Sequence, residues 1–208
     1  MLEIFLFTKN EIDFISKFIT YHITIVDKIT IIDNGSTDGT WEIIIDFESK
    51  YKNIQVYRHI EPFSHKAQII TNYMKKSSSD LLIPLDTDEL IAYENNFGDV
   101  ITDSNKLRSY LLDLAKINIG KLKIKKIYNF IPNSNNQFSI DKNTKFIFLK
   151  SDFDSVDTGF HKGKTLNTNK LTHKTDLVYL HFHYRSFNSW LKSTEQKLKA
   201  RLGKDWNN

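Results

Sequence analysis

The chain has 208 residues, 40% hydrophobic and 26% charged, with a formal charge of +4. That is enough to bury one sizeable core and short for two. Cysteine is absent, which excludes disulfides, a thiolate zinc site and a cysteine nucleophile.

The first segment, "MLEIFLFTKN", carries Glu3 and lacks a basic leader, so it reads as a strand over 2–8 and not as a signal peptide. From Asn10 the pattern changes: Ile12, Ile15, Ile19 and Ile23 recur at helical spacing. "KITIID" (28–33) is a second strand, and "NGSTDGT" offers N-caps for a helix through "WEIIIDFESKY". "NIQVYRH" (53–59) is a third strand, "SHKAQIITNYMKKS" (64–77) a third helix and "DLLIPLD" (80–86) a fourth strand. This β-α-β-α-β-α-β order with two-sided apolar strands predicts a parallel sheet covered by helices on both faces. Ligands bind such sheets beyond the carboxyl ends of the strands, where "TKNE", "DNGS" and "DTDE" all fall.

The second half is less regular. Residues 121–131, 145–150 and 176–186 read as strands, 131–144 as a loop, and a closing helix of about 15 residues runs to Leu202 with Trp190, Leu191 and Leu198 on its apolar face. The expected fold is α/β, a Rossmann-like, mostly parallel sheet flanked by helices, with a mixed or antiparallel C-terminal part. A single domain spanning 1–208 is expected, in two parts, 1–93 and 94–208.

No run approaches the roughly 18 apolar residues of a membrane span. The lysines scatter, apart from "GKLKIKK" at 120–126, and read as solvated surface; no nucleic-acid partner is expected. Cytoplasmic localisation is expected. The basic outer face of "KSTEQKLKARLGK" leaves peripheral membrane contact open.

Asp86, Asp88 and Glu89 crowd the fourth strand's exit and repel one another unless something positive sits among them. Asp86 and Asp88, at i and i+2, can reach one Mg²⁺ or Mn²⁺ that also holds substrate phosphates. An acidic turn facing water is the alternative, and the nearby "IIDNGS" favours the ion. Asp33 can accept hydrogen bonds from a nucleobase imide or a ribose hydroxyl, or simply belong to a turn. No Gly-rich phosphate loop is present, which argues against a P-loop enzyme or a redox dinucleotide.

Later in the chain, "HFHYR" puts His181 and His183 on one strand face with Phe182 and Tyr184 opposite. His183 is the expected third ligand, with His181 packing or orienting; Arg185 can neutralise a leaving diphosphate. "VDTGFHKGK" (156–164) resembles the flexible stretch that precedes a site His in the family named next, which implies that Gly159 and Gly163 would hinge it, His161 would touch phosphate and Asp157 would meet the acceptor; an incidental surface turn is an equal reading.

Jointly, "TKNEIDFISKFITYH", "IIDNGSTDGT", "PLDTDEL" and "HFHYRS" resemble the metal-dependent GT-A glycosyltransferases, in particular the group related to family 2 and the family 92-type enzymes. The resemblance covers residues 3–93 well and 157–190 loosely. It implies transfer of a sugar from a nucleotide-sugar donor, usually UDP-linked, to a glycan or other hydroxyl acceptor, with Mn²⁺ or Mg²⁺ and with inversion. It places Thr8, Asn10 and Glu11 beside the base and Asp33, Asn34 and Gly35 at the uracil or ribose. Asp86 would contact ribose and metal, and Asp88 would ligate the metal directly. Lys66 and Gln68 fall where the family places donor contacts. An inverting transfer needs a carboxylate base, for which Asp157 and Glu89 are the candidates. The chain lacks the E-D pair and Q-x-x-R-W motif of larger family 2 enzymes, which argues against a processive synthase. The competing readings are a sugar nucleotidyltransferase and a catalytically silent nucleotide- or glycan-binding module of a larger protein.

Overall fold

The computed structural model describes residues 1–117, 119–131, 137–167, 171–183, 191 and 194–195. Strands β1 (Leu2–Thr8), β2 (Lys28–Asp33), β3 (Ile54–Arg58) and β4 (Leu81–Leu85) alternate with helices α1 (Ile15–His22), α2 (Thr40–Lys50) and α3 (Lys66–Lys76). They pair in parallel in the order β4-β1-β2-β3. β1 is buried at every position because alternate side chains serve opposite layers. Leu2, Ile4 and Leu6 meet Ile15, Phe18 and Ile19 of α1 and Ile44 of α2, whereas Phe5 and Phe7 meet Ile69, Ile70 and Met74 of α3. Helices therefore cover both faces, as the two-sided strands predict.

The rest of the chain comprises β5 (Glu89–Glu94), β6 (Val100–Ile101), α4 (Ser104–Leu114), β7 (Lys121–Lys123), β8 (Lys126–Phe130), β9 (Phe138–Ile140), β10 (Phe146–Leu149), β11 (Phe153–Val156), β12 (Gly163–Thr165), β13 (Thr172–Lys174) and β14 (Leu177–His181). β10 joins β4 antiparallel and extends the first sheet through β7 to β13; β6-β5-β14-β8-β9 form a second sheet and β11-β12 a hairpin. Pro84 is tolerated in β4 because the pairing with β10 runs only over Leu81 and Leu82, so no partner on that side needs its missing N–H.

Several expected boundaries move. Residues 121–131 are two strands, because neighbouring backbone donors turn to different sheets: Ile124 N–H to Lys145 O and Lys125 N–H to Leu177 O. The first helix starts at Ile15, and Ile12 is exposed in a loop whose backbone is taken by Asp38. The expected 131–144 loop contains β9, and the strand expected over 176–186 ends at His181. Of the last helix's expected apolar face, Leu191 is exposed, and Trp190 and Leu198 lie outside the described residues. No helix among the described residues is long and apolar enough to cross a membrane.

The Tyr-His pair ending α1 has a clear structural use. Tyr21 Oη donates to Ile91 O at 2.8 Å, and His22 Nε2 accepts the Ile91 N–H at 3.3 Å. Two side chains thus satisfy the open edge of β5 where β6, paired only at Tyr93 and Glu94, does not reach. His22 Nδ1 donates to Phe18 O, so the ring is neutral, and burial holds its pKa down at about 3. Burial likewise pushes the Tyr21 phenol up to about 12. This clamp secures the strand that leaves the acidic turn.

Candidate functional site

The three polar clusters expected at the strand ends do meet at one edge of the parallel sheet, and each is built differently. At the exit of β4, Asp86 is held by two ammonium groups, Lys66 Nζ at 2.7 Å and Lys145 Nζ at 2.6 Å. Lys66 opens α3; Lys145 precedes β10, whose antiparallel register (Phe148 opposite Leu82) carries it to the end of β4. Lys145 also pairs with Glu89 at 2.7 Å, and Glu89 accepts the Asp86 N–H at 3.1 Å. The Phe160 ring lies 4.6 Å from Lys66 Nζ and 5.6 Å from Lys145 Nζ. Burial works against a charged Asp86, but Lys145 and Lys66 outweigh it and hold its pKa well below the usual carboxylate range. Glu89 is fully buried, and that burial, with Asp86 and Asp88 nearby, raises its pKa despite Lys145.

Two residues on, Asp88 belongs to a different cluster. Its carbonyl accepts the Phe182 N–H at 2.8 Å, which prolongs the β5–β14 ladder, where His181 faces Glu89, by one bond. The ladder sets His181 Nε2 at 3.5 Å and His183 Nδ1 at 3.8 Å from Asp88 Oδ2. Phe182 points the other way, stacked on Phe130 at 4.8 Å and against Phe14 at 5.2 Å, so the alternation read in "HFH" orients both imidazoles. Among the described residues, Asp88, His181 and His183 form the one group able to hold a metal ion, with ligand atoms within 4.8 Å of one another. Burial disfavours a charged His181, but Asp88 and Glu89 more than offset it, so its pKa is raised. An ion seated there would displace that proton. The donor set, one carboxylate with two imidazoles, fits a divalent metal. Asp86 stands outside this group and His181 inside it, whereas the expected ligands were Asp86, Asp88 and His183.

The third cluster surrounds Asp33 at the end of β2. This carboxylate is fully buried; Oδ2 accepts the Ser36 N–H at 3.0 Å and lies 3.6 Å from Arg58 Nε. Its Oδ1 has no partner among the described residues, an orphaned buried acceptor of the kind that ligands satisfy. Arg58 is fixed by its Ser36 O contact at 3.0 Å and by lying 4.6 Å over the Trp41 ring. The neighbouring loops interlace: Asn10 N–H donates to Ser36 Oγ, Asn10 Oδ1 accepts the Thr37 N–H and Glu11 N–H donates to Thr40 Oγ1. Thr87 Oγ1 donates to Thr8 Oγ1 at 3.0 Å, joining this cluster to the acidic turn, and Asn34 Nδ2 donates to Glu61 O. Gly35 has φ +68°, the left-handed conformation that the turn requires of it.

The remaining expected residues sit around these clusters. His161 Nδ1 contacts Thr144 O at 2.9 Å, beside Lys145, and Asp157 Oδ1 accepts the Lys162 N–H at 2.8 Å on the β11–β12 hairpin. Gln68 points away from Lys66 into a groove of about 300 Å³ lined also by His59, Glu61, His65 and Tyr73. Arg185 lies outside the described residues. Lys145, Asn129, Arg58 and Trp41 were not anticipated. Arg58 was legible in principle as the strand-end partner of Asp33 across β2 and β3; Lys145 depends on a long-range register that no local pattern announces.

Comparison with known proteins agrees with this architecture. Among solved structures, residues 1–349 of S. aureus TarS align over 95% of this chain and 65% of that one at TM-score 0.58 and 14% identity. The mannosyltransferase PcManGT from Pyrobaculum calidifontis, in complex with GDP-Man and Mn²⁺, aligns over 100% of this chain and 64% of that one at TM-score 0.57 and 13% identity. The chain thus spans less than two thirds of either neighbour, and 38% of TarS 1–349 in its UDP complex. These likenesses establish the GT-A fold. No curated protein matches. The family model for glycosyl transferase family 2 matches residues 3–160, and with most of the chain so covered, the protein belongs to that family.

Proposed function

We propose that the chain is a metal-dependent glycosyltransferase that moves a sugar from a nucleotide donor, a UDP-sugar in the first instance, to a glycan or other hydroxyl acceptor. The observation that carries this reading is the convergence of an orphaned Asp33 oxygen with an Asp88–His181–His183 cluster at one sheet edge. Asp33 accepts a hydrogen bond from the base or ribose, and Arg58, pinned over Trp41, lies beside it. Asp88, His181 and His183 would hold a divalent ion, which when bound would supply charge neutralisation for the diphosphate leaving group. Asp157, on the hairpin, takes the acceptor proton in an inverting transfer; Glu89, the other candidate, is buried and ion-paired. The two halves, 1–93 and 94–208, work as one domain, since β14 and β10 from the second half complete the exit of β4. Cytoplasmic placement belongs to the same reading.

The test is a thermal-shift screen of UDP-, GDP- and CDP-sugars with Mn²⁺ and with EDTA. A ligand of the native state raises stability by about 2.7 kcal/mol at a hundred times its dissociation constant. Stabilisation by a UDP-sugar with Mn²⁺, abolished by EDTA, is expected; indifference to every donor overturns the reading. A second reading, a silent nucleotide- or glycan-binding module, draws on the chain's spanning only 65% and 64% of its structural neighbours. Metal-dependent release of sugar or diphosphate from the donor separates the two.

A further inference from the structure

Gln68, an expected donor contact, instead lines a groove that comes from the way α3 covers the sheet. Ile69, Ile70 and Met74 of α3 pack on Phe5 and Phe7 of β1 and on Ile32 of β2. Tyr57 of β3 is the register partner of Ile32 and so shares that face. β3 is the outermost described strand there, so Tyr57 borders the helix and is not covered by it; its ring centroid lies 4.5 Å from that of Tyr73. The groove left along this border holds about 300 Å³, in the range of small-ligand sites.

One wall is set by a chain of polar contacts. Glu61 Oε2 lies 3.0 Å from His59 Nδ1, and His59 Nε2 lies 2.9 Å from Tyr73 Oη. A carboxylate only accepts, so in the neutral imidazole Nδ1 carries the proton and Nε2 accepts from the phenol, whose oxygen keeps a lone pair for a ligand. The wall is anchored to the end of β2: Asp33 O accepts the His59 N–H at 2.8 Å, and Asn34 Nδ2 donates to Glu61 O at 2.9 Å. The other wall is α3, where Gln68, Asn72 and Lys76 are exposed and stand about one turn apart, in a row about 12 Å long.

The chemistry of these walls narrows the ligand. Both amides and the phenol donate as well as accept, which matches hydroxyl groups that do the same. Glu61 and Lys76 carry opposite charges that cancel, so the groove does not favour a phosphate or a polyanion. The tyrosine rings add apolar surface beside the polar row. We propose that this groove is a secondary site for a neutral oligosaccharide, outside the cleft where transfer takes place. For its ligand class the inference rests on the glycan-acceptor reading above. The row is longer than one sugar ring, so it engages a chain and not a monosaccharide. A second hold on a glycan acceptor raises its effective concentration at the cleft.

The experiment is a printed array of neutral and anionic oligosaccharides probed with the whole chain in EDTA, which removes metal-dependent binding at the cleft. Wild type is expected to hold neutral members in preference to anionic ones. The double variant Gln68→Arg/Asn72→Arg fills the groove from two exposed positions with a good helix former, so circular dichroism is expected to stay native. Its glycan binding is expected to weaken by about tenfold or more, as loss of two hydrogen-bonding side chains does. Binding unaltered in the folded double variant overturns the proposal, as does a preference for anionic members. Nitrogen-15 NMR of wild type needs no variant: the best-bound member is expected to shift the side-chain amides of Gln68 and Asn72, and shifts confined to other residues overturn the proposal. Wild type that a UDP-sugar with Mn²⁺ stabilises but that binds no glycan sinks this inference alone. A chain that no donor stabilises, yet that binds glycan at α3, supports the site and refutes the transferase reading.

Discussion

The exits of β2 and β4 both bury carboxylates at the same edge of the sheet, yet their electrostatics are opposite. At β4, Asp86 is ion-paired with both lysines, and Glu89 is ion-paired with Lys145 and accepts the Asp86 N–H. At β2, Asp33 is as deeply buried but keeps one oxygen unpaired, with a half-exposed arginine beside it. Buried charge is tolerated when it is paired, and an unpaired buried acceptor is costly unless a ligand arrives. The contrast separates residues that hold the site together from residues that are held ready for a substrate.

Breaking the ion-paired side has the largest effect. Lys145→Met leaves Asp86 and Glu89 with one ammonium between them and is expected to cost about 3–5 kcal/mol, read from urea denaturation. A loss below about 1 kcal/mol, the value of an exposed pair, would mean that the network does not stabilise the fold. Asp88→Asn tests the neighbouring cluster. It is expected to cut Mn²⁺-dependent transfer by about a hundredfold or more while circular dichroism stays native, since the loss concerns the ion. Activity near wild type would remove Asp88 from the metal site.

The open side should respond differently. Asp33→Ala loses a hydrogen bond to a charged acceptor, worth about 1.5–3 kcal/mol, and is expected to raise the donor KM by about tenfold or more with kcat little changed. A large fall in kcat at constant KM would assign Asp33 to the chemistry instead. The last test concerns His22, a buried group that contacts Phe18 O and accepts the Ile91 N–H. Its folded pKa of about 3 lies below the ordinary 6.5, so between those values the unfolded chain takes up a proton that the folded chain refuses. Stability is therefore complete above about pH 6.5 and falls as pH drops toward 3, by about 1.4 kcal/mol per pH unit from this residue. His22→Gln is expected to flatten the stability slope between pH 4 and 6; an unchanged slope would show that the imidazole is not kept neutral.

Much of the parallel half was legible in the sequence. The two-sided apolar strands, the helical spacing of Ile15 and Ile19, and the polar runs at strand ends are local patterns set by side-chain periodicity, and local periodicity survives in a single chain. The alternation in "HFH" likewise foretold that both histidines share a side, which their approach to Asp88 bears out.

Only the tertiary structure decided what those residues do. Three adjacent carboxylates read as one acidic cluster in the sequence, but the fold divides them, since partners arrive from 20 residues back, 59 ahead and the far end of the described chain. Lys145 reaches Asp86 because β10 runs antiparallel to β4, and His181 reaches Asp88 because β14 runs antiparallel to β5. The break of residues 121–131 into β7 and β8 has the same origin, two consecutive N–H groups drawn to acceptors in different sheets. Periodicity determines which face a residue takes within its own element; long-range register determines which charge it meets there, and a single sequence encodes that register only through the packing of the whole.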